Sequence, residues 1–158
     1  MGLKFAADSM LGGLAKWLRL LGLDTIYLRE GPARVFPDRV LVTRRSKRPH
    51  QPRLDAWPRV VTLSADQTRG QLTELVKAMK LNPGDLKPLT RCSVCNRRLH
   101  LVNPSEVAGR IPEYVQRTQT KFSECPGCGH IYWPGTHHAR MLAVMEEVFG
   151  EPFPKTPA

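Results

Sequence analysis

The stretch LKFAADSMLGGLAKWLRLLGLDTIYL, residues 3–28, reads as strand, helix and strand in succession. Residues 3–7 are a short apolar run. Asp8 and Ser9 follow, with side-chain oxygens suited to capping a helix. Leu11, Leu14, Ala15, Leu18 and Leu21 then recur at three- and four-residue spacing, which makes one apolar stripe with Lys16 and Arg19 facing away. Gly22 supplies the stop, and residues 25–28 form a second strand. Apolar runs at 39–43 and 60–63 give a third and a fourth strand. Leu72, Leu75, Val76 and Met79 define a second amphipathic helix over 68–79. Strands alternating with helices predict an α/β fold with a parallel sheet and flanking helices. The segment 29–38, with its prolines and glycine, is too short and broken for a crossover helix.

The four cysteines of the chain stand as two pairs, Cys92 with Cys95 and Cys125 with Cys128. A Cys-x-x-Cys turn aims two thiolates at one point, so two such turns supply four sulfurs for a tetrahedral zinc ion. Asn96 after the first pair, and Gly127 and Gly129 in and after the second, permit tight knuckles. The competing arrangement, two disulfides, suits secreted chains, and this one has no secretory features. Four sulfur ligands leave no open coordination position, so the zinc holds structure and performs no chemistry.

Proline and glycine between residues 82 and 88 mark a linker. The expected division is an α/β domain at 1–81, a four-cysteine zinc ribbon with a C-terminal helix at 88–150, and a disordered tail at 151–158. Strands are expected at 99–102 and 129–133. Met141, Leu142, Met145, Val148 and Phe149 form the apolar face of the last helix, over 136–149.

Lysine and arginine number 24 against 14 acidic residues, a formal charge of +10. Zinc on four thiolates adds four negative and two positive charges, which leaves about +8. Such an excess points to a polyanion partner, and RNA is the expected one. The N-terminal apolar residues are broken by Asp8, Lys16 and Arg19, so neither a signal peptide nor a membrane span is expected. Reduced, metal-binding cysteines without an export signal suggest the cytoplasm.

Ligands of open α/β sheets bind outside the carboxyl ends of the strands. Asp8 follows strand one and Asp66 follows strand four, so both carboxylates are expected at that edge. There they are candidates either for holding a divalent cation or for capping the helices that follow. Arg44, Arg45, Lys47 and Arg48 after strand three, extended by Arg53, form the densest positive run and are candidate phosphate clamps. None of the five histidines carries a catalytic expectation.

Taken together, FAADSMLGGLAKWLRLLGLDT (5–25), RVLVTR (39–44), RCSVCN (91–96), VAGRIPEYV (107–115), CPGCG (125–129) and YWPGTH (132–137) resemble a known family. It is the Mut-seven C-terminal RNase domain, a PIN-like domain followed by a zinc ribbon, of which this chain looks like a shortened and divergent member. The resemblance implies a PIN-like fold and a metal-dependent ribonuclease site built on clustered acidic residues, with Asp8 as the first acidic ligand. Two departures bear on that site. The helix that carries an acidic residue between strands two and three in the family is missing. The family's Thr-Arg-Asp after strand three reads Thr43, Arg44, Arg45, with a guanidinium in place of a carboxylate. The reading that follows is an RNA-binding protein with a degraded nuclease site. One rival is an active ribonuclease holding magnesium or manganese on Asp8, Asp66 and Asp38. The other is a protein-interaction adaptor.

Overall fold

The computed structural model describes residues 2–46 and 53–153. Strands β1 (Lys4–Ala7), β2 (Asp24–Tyr27), β3 (Val40–Thr43) and β4 (Val60–Thr62) form one parallel sheet in the order β2-β1-β3-β4. Phe5 pairs with Thr25 on one side and Val40 on the other, and Leu41 pairs with Val60. The central strands β1 and β3 are almost continuously apolar because both faces of the sheet are covered.

Helices α1 (Gly12–Leu20) and α2 (Thr68–Met79) cover one face. Leu14, Leu18, Leu72 and Leu75 pack there with Phe5 and Val42. The amphipathic spacing located α2 well. At α1 two details differ from expectation. The N-cap position is Leu11, with no side-chain cap, because the Asp8 carboxylate is engaged elsewhere. Arg19, expected to face solvent, is 8% exposed and turns into the second module.

Among the described residues, no α-helix covers the other face. Ala6 and Leu41 are shielded by Leu54 and Trp57, with Phe36, Val35 and Ile26 around them. The Trp57 indole N–H donates to the Pro32 carbonyl at 3.0 Å, and its ring lies 6.2 Å from that of Phe36. Large aromatic side chains on irregular backbone thus replace the crossover helix that segment 29–38 lacks.

Past α2 the chain turns back across the end of α1. The Lys87 and Leu89 amides donate to the carbonyls of Leu21 and Leu20, at 3.1 and 2.9 Å, and so satisfy the last turn of that helix. Gly22 permits this approach on two counts: its φ is +83°, and a Cβ there would lie 2.1 Å from the Lys87 carbonyl oxygen.

The second module is a three-stranded antiparallel sheet of β5 (His100–Val102), β6 (Phe122–Glu124) and β7 (Ile131–Tyr132). The outer strands were expected; β6 and the short helices α3 (Pro104–Val107) and α4 (Glu113–Thr118) were not. Val107, Val115 and Phe122 make its small core. A capping box of Asn103 and Glu106 starts α3, with the Asn103 amide 2.6 Å from the Glu106 carboxylate.

Helix α5 (Thr136–Phe149) leaves this module and packs against α2, placing Met145 in the core of the parallel sheet. The C-terminal helix is therefore part of the first core, although in sequence it follows the ribbon. Phe153, inside the tail expected to begin at 151, is 4% exposed and packs on Phe149 at 5.5 Å. Residues 154–158 lie outside the described ones. No helix among the described residues is long and apolar enough to cross a membrane.

Candidate metal centre and Asp8 site

The two Cys-x-x-Cys turns close in the same way. The Cys92 amide donates to the Arg97 carbonyl and the Asn96 amide to that of Cys92, at 2.8 and 2.9 Å. In the second turn Cys125 donates to His130 and Gly129 to Cys125, at 2.9 and 3.0 Å. The fifth residue of each turn is left-handed, Asn96 at φ 70° and Gly129 at φ 77°, a conformation that few residue types other than glycine and asparagine tolerate. This explains the residue types beside the cysteines. All four Sγ atoms lie within 4.8 Å of one another, with Cys95 and Cys125 at 3.2 Å and Cys92 and Cys128 at 3.5 Å. None is in a disulfide, and the group can hold one metal ion.

Burial opposes the Cys125 thiolate, but the amides of Cys128 and Gly127 and the neighbouring Cys95 outweigh it and lower its pKa to about 6. Cys128 has the His130 amide in its favour, yet burial and the adjoining Cys92 and Cys125 push it up to about 12. Four negative sulfurs at such separations repel one another, and a cation among them relieves that repulsion and releases protons. The Tyr132 hydroxyl, 3.1 Å from Cys92 Sγ and 3.2 Å from the Ser93 amide, steadies the first turn.

The four-cysteine cluster is joined to the parallel sheet by polar contacts. Arg19 reaches from α1 to the carbonyls of Ser93 and Val94 at 3.1 and 3.0 Å, while its Nε donates to Thr25 at 2.9 Å. Burial holds its pKa below the usual arginine value, against the opposing pull of Cys92 and Cys95. Asn96 accepts from the Thr25 amide at 3.0 Å and donates to the Asp24 carboxylate at 2.8 Å. Arg39 pairs with the same carboxylate at 2.7 Å.

Partial burial alone would raise the Asp24 pKa, but the hydrogen bonds from Arg39 and Asn96 outweigh it and hold it below the usual carboxylate value. A depressed folded pKa gives stability that is present above about pH 4 and lost as pH falls through the folded value. Asp24→Asn should therefore destabilise the protein at pH 7, with the deficit shrinking as the pH falls below about 4. Urea melts of both proteins across that range test this; a deficit independent of pH would overturn it.

The second site lies at the carboxyl edge of the parallel sheet. Strand order reverses between β1 and β3, which makes that edge the topological switch point where open α/β sheets bind ligands. Asp8, just past β1, is fully buried. One carboxylate oxygen accepts from the Thr43 hydroxyl at 2.6 Å and from Arg45 Nε at 2.8 Å. The other accepts from the Ser9 amide at 2.7 Å. Thr43, also fully buried, in turn accepts the Arg45 amide at 2.9 Å and so fixes the start of the arginine's loop. Gly31, in the segment that replaces the crossover helix, passes over the pair: a Cβ there would lie 3.4 Å from the Arg45 guanidinium. Ser9 was expected only as a helix cap and Gly31 carried no expectation, since only the fold brings residues 9, 31 and 43 together around one carboxylate.

Asp66 is exposed on the turn after β4 and does not cap α2, whose N-cap is Gln67 without a side-chain bond. The acid that engages this turn is Glu74, which accepts from the Ser64 and Ala65 amides at 2.9 and 2.7 Å. Asp38 pairs with Lys4 at 3.0 Å, at the amino end of β1, and so sits on the opposite edge from Asp8. Four strand residues at ~3.3 Å each put it some 13 Å away along β1, too far to share a metal with Asp8. Among the described residues, the cysteines are the one group of three or more His, Cys, Asp or Glu side chains with converging ligand atoms.

Of the basic run, Arg44 is exposed and donates to the Ser64 carbonyl at 3.2 Å. Arg53 pairs with Asp55 at 3.0 Å. Lys47 and Arg48 lie outside the described residues.

No curated protein and no solved structure shows significant similarity to the chain. The family model of the Mut7-C RNAse domain matches residues 3–145, a span that takes in the parallel sheet, the Asp8 site and the four cysteines. The chain belongs to the Mut7-C RNAse domain family.

Proposed function

We propose that the protein binds RNA at the carboxyl edge of its parallel sheet, that its nuclease site is degraded, and that the four cysteines hold a structural zinc ion. The observation that carries the reading is the Asp8–Arg45 pair. Metal-assisted phosphodiester hydrolysis needs several carboxylates on one or two divalent cations, which activate water and neutralise the charge developing on phosphate. Here the carboxylate in the family's first acidic position is already neutralised by a guanidinium and two further donors. At an effective dielectric of ~20, a guanidinium ~4 Å from a divalent ion costs on the order of 8 kcal/mol of repulsion.

The same edge is cationic. Arg44 is exposed, and Arg45 keeps 28% of its side chain in solvent. Lys47 and Arg48 continue the basic run in sequence, and Arg53 has Asp55 beside it. Phosphate contacts by such side chains supply affinity without reading sequence. The zinc, with four sulfur ligands, has no coordination position left for substrate. Thiols that must stay reduced to hold it are in keeping with the cytoplasm.

Family membership favours a second reading, residual ribonuclease activity on Asp8 and Asp66 with magnesium or manganese. One experiment separates the two. Labelled single-stranded RNA is incubated with the protein in manganese, and binding is followed against salt. Binding without cleavage is expected. Changing Arg44, Lys47 and Arg48 together to alanine should flatten the salt dependence by up to about 2, at ~0.7 per phosphate contact. An unchanged slope overturns the binding surface. Cleavage by the wild type that vanishes in Asp8→Asn overturns the degraded site.

A further inference from the structure

A cavity stands at the other end of the molecule from Asp8. It is a cleft of about 750 Å³ between the linker and the ribbon. One wall is a face of the antiparallel sheet, where Leu101, Ser123 and Tyr132 are register neighbours across β5, β6 and β7. Their strand neighbours Val102 and Phe122 point the other way, into the ribbon's own core. Pro88 and Leu89 of the linker also line it. Because the linker satisfies the last turn of α1, the cleft lies at the amino edge of the parallel sheet. Helix α2, 12 residues long and therefore ~18 Å, spans the distance between the two edges.

Leu101 is 83% exposed, and it is a large apolar side chain on the face of a small antiparallel sheet that is ordinarily polar. The cleft's charge is one-sided: Lys87 and Lys121 line it, and no aspartate or glutamate does. Trp133 is in the lining, its ring held at 6.4 Å from Phe122 in an edge-on arrangement. His138, also in the lining, has a ring nitrogen shut off from solvent and without a hydrogen-bond partner. Burial lowers its pKa, so this imidazole is neutral at pH 7.

We infer that this cleft seats a base of single-stranded RNA and that Lys87 and Lys121 take the adjoining phosphates, an assignment that rests on the RNA-binding reading above. A base is a flat ring with two apolar faces and a polar edge. A lining of leucine, proline and an indole with a few hydroxyl and imidazole groups matches that shape and polarity. The paired lysines match its backbone, and the same charge discourages a second copy of this chain, which carries +10.

The test uses labelled 12-nucleotide oligouridylate and oligoadenylate, and an abasic 12-mer with the same backbone. The variants are Leu101→Ser and Lys121→Ser, both at exposed positions that the folded core does not need. Leu101→Ser should weaken binding of the base-bearing strands about fivefold or more and leave the abasic strand unchanged. Lys121→Ser should lower the salt slope by ~0.7 on all three. Wild-type protein that binds none of them would overturn RNA binding itself. Wild-type binding with an unaltered Leu101→Ser affinity, or an equal loss on the abasic strand, would overturn the base site alone. If an alternating leucine–glutamate decapeptide binds the wild type but not Leu101→Ser while RNA affinity stays constant, the cleft docks protein and the inference fails.

Discussion

Cys125→Ser is expected to abolish stoichiometric metal binding and to unfold the ribbon while leaving a weakened parallel sheet. The wild type should carry one zinc ion with Zn–S distances of about 2.3 Å. Structural zinc contributes on the order of 10 kcal/mol or more of apparent folding free energy in modules of this kind. The ribbon has little to set against that loss, since its buried core is Val107, Val115 and Phe122. The damage should not stop there. Arg19 would lose the Ser93 and Val94 carbonyls, and Thr25 and Asp24 would lose Asn96. Hydrogen bonds involving charged groups contribute about 1.5–3 kcal/mol each, so the first module should melt at a visibly lower temperature. Metal analysis and hydrogen exchange check this together. Amides at 92–133 should exchange nearly as fast as in an unfolded chain, while those of β1 and β3 stay protected. Full protection of the ribbon in metal-free protein would overturn the zinc assignment.

Arg45→Ala should destabilise the protein by about 2–3 kcal/mol at pH 7. Breaking a buried pair by removing one partner costs about 3–5 kcal/mol, because the other charge is left uncompensated. The estimate is set lower because the arginine is 28% exposed, which lets water approach the vacated place. Thr43 and Ser9 would still donate to Asp8. Losing the guanidinium also removes the repulsion that keeps a divalent cation away. Manganese should therefore raise the melting temperature of Arg45→Ala, and of Arg45→Asp more strongly, with little effect on the wild type. Calorimetric or fluorescence melts with and without manganese measure both effects. Equal stabilisation of wild type and Arg45→Ala would mean that the arginine does not guard the carboxylate. The sparse ligand set should keep RNA cleavage weak in either variant, because Asp38 is on the far edge and Asp66 is exposed on a separate turn.

The residue spacing around the cysteines was sufficient to bring the four sulfurs of the candidate metal centre together in expectation, because a Cys-x-x-Cys turn is local. Its hydrogen bonds and its left-handed fifth residue involve neighbours within a few positions. The same holds for α2 and for the four parallel strands, whose short apolar runs mark them as strands whatever packs there. The sequence also named the Asp8 position and the arginine beside it, through Thr43, Arg44 and Arg45.

Other features depend on contacts between distant segments, and no local pattern encodes those. Arg19 sits on a helix face that looks polar in isolation, yet carbonyls 74 and 75 residues away bury it. Trp57 and Phe36 take the place of a helix because they happen to meet over Ala6 and Leu41. Strand β6 and helices α3 and α4 are too short for periodicity to register, and their burial comes from one another. Helix α5 follows the ribbon in sequence but belongs to the first core, since the apolar stripe that identified it says only that a partner exists. A stripe, a charge or a thiol is a property of the chain; which surface it meets is settled when segments far apart in sequence compete for the same buried space.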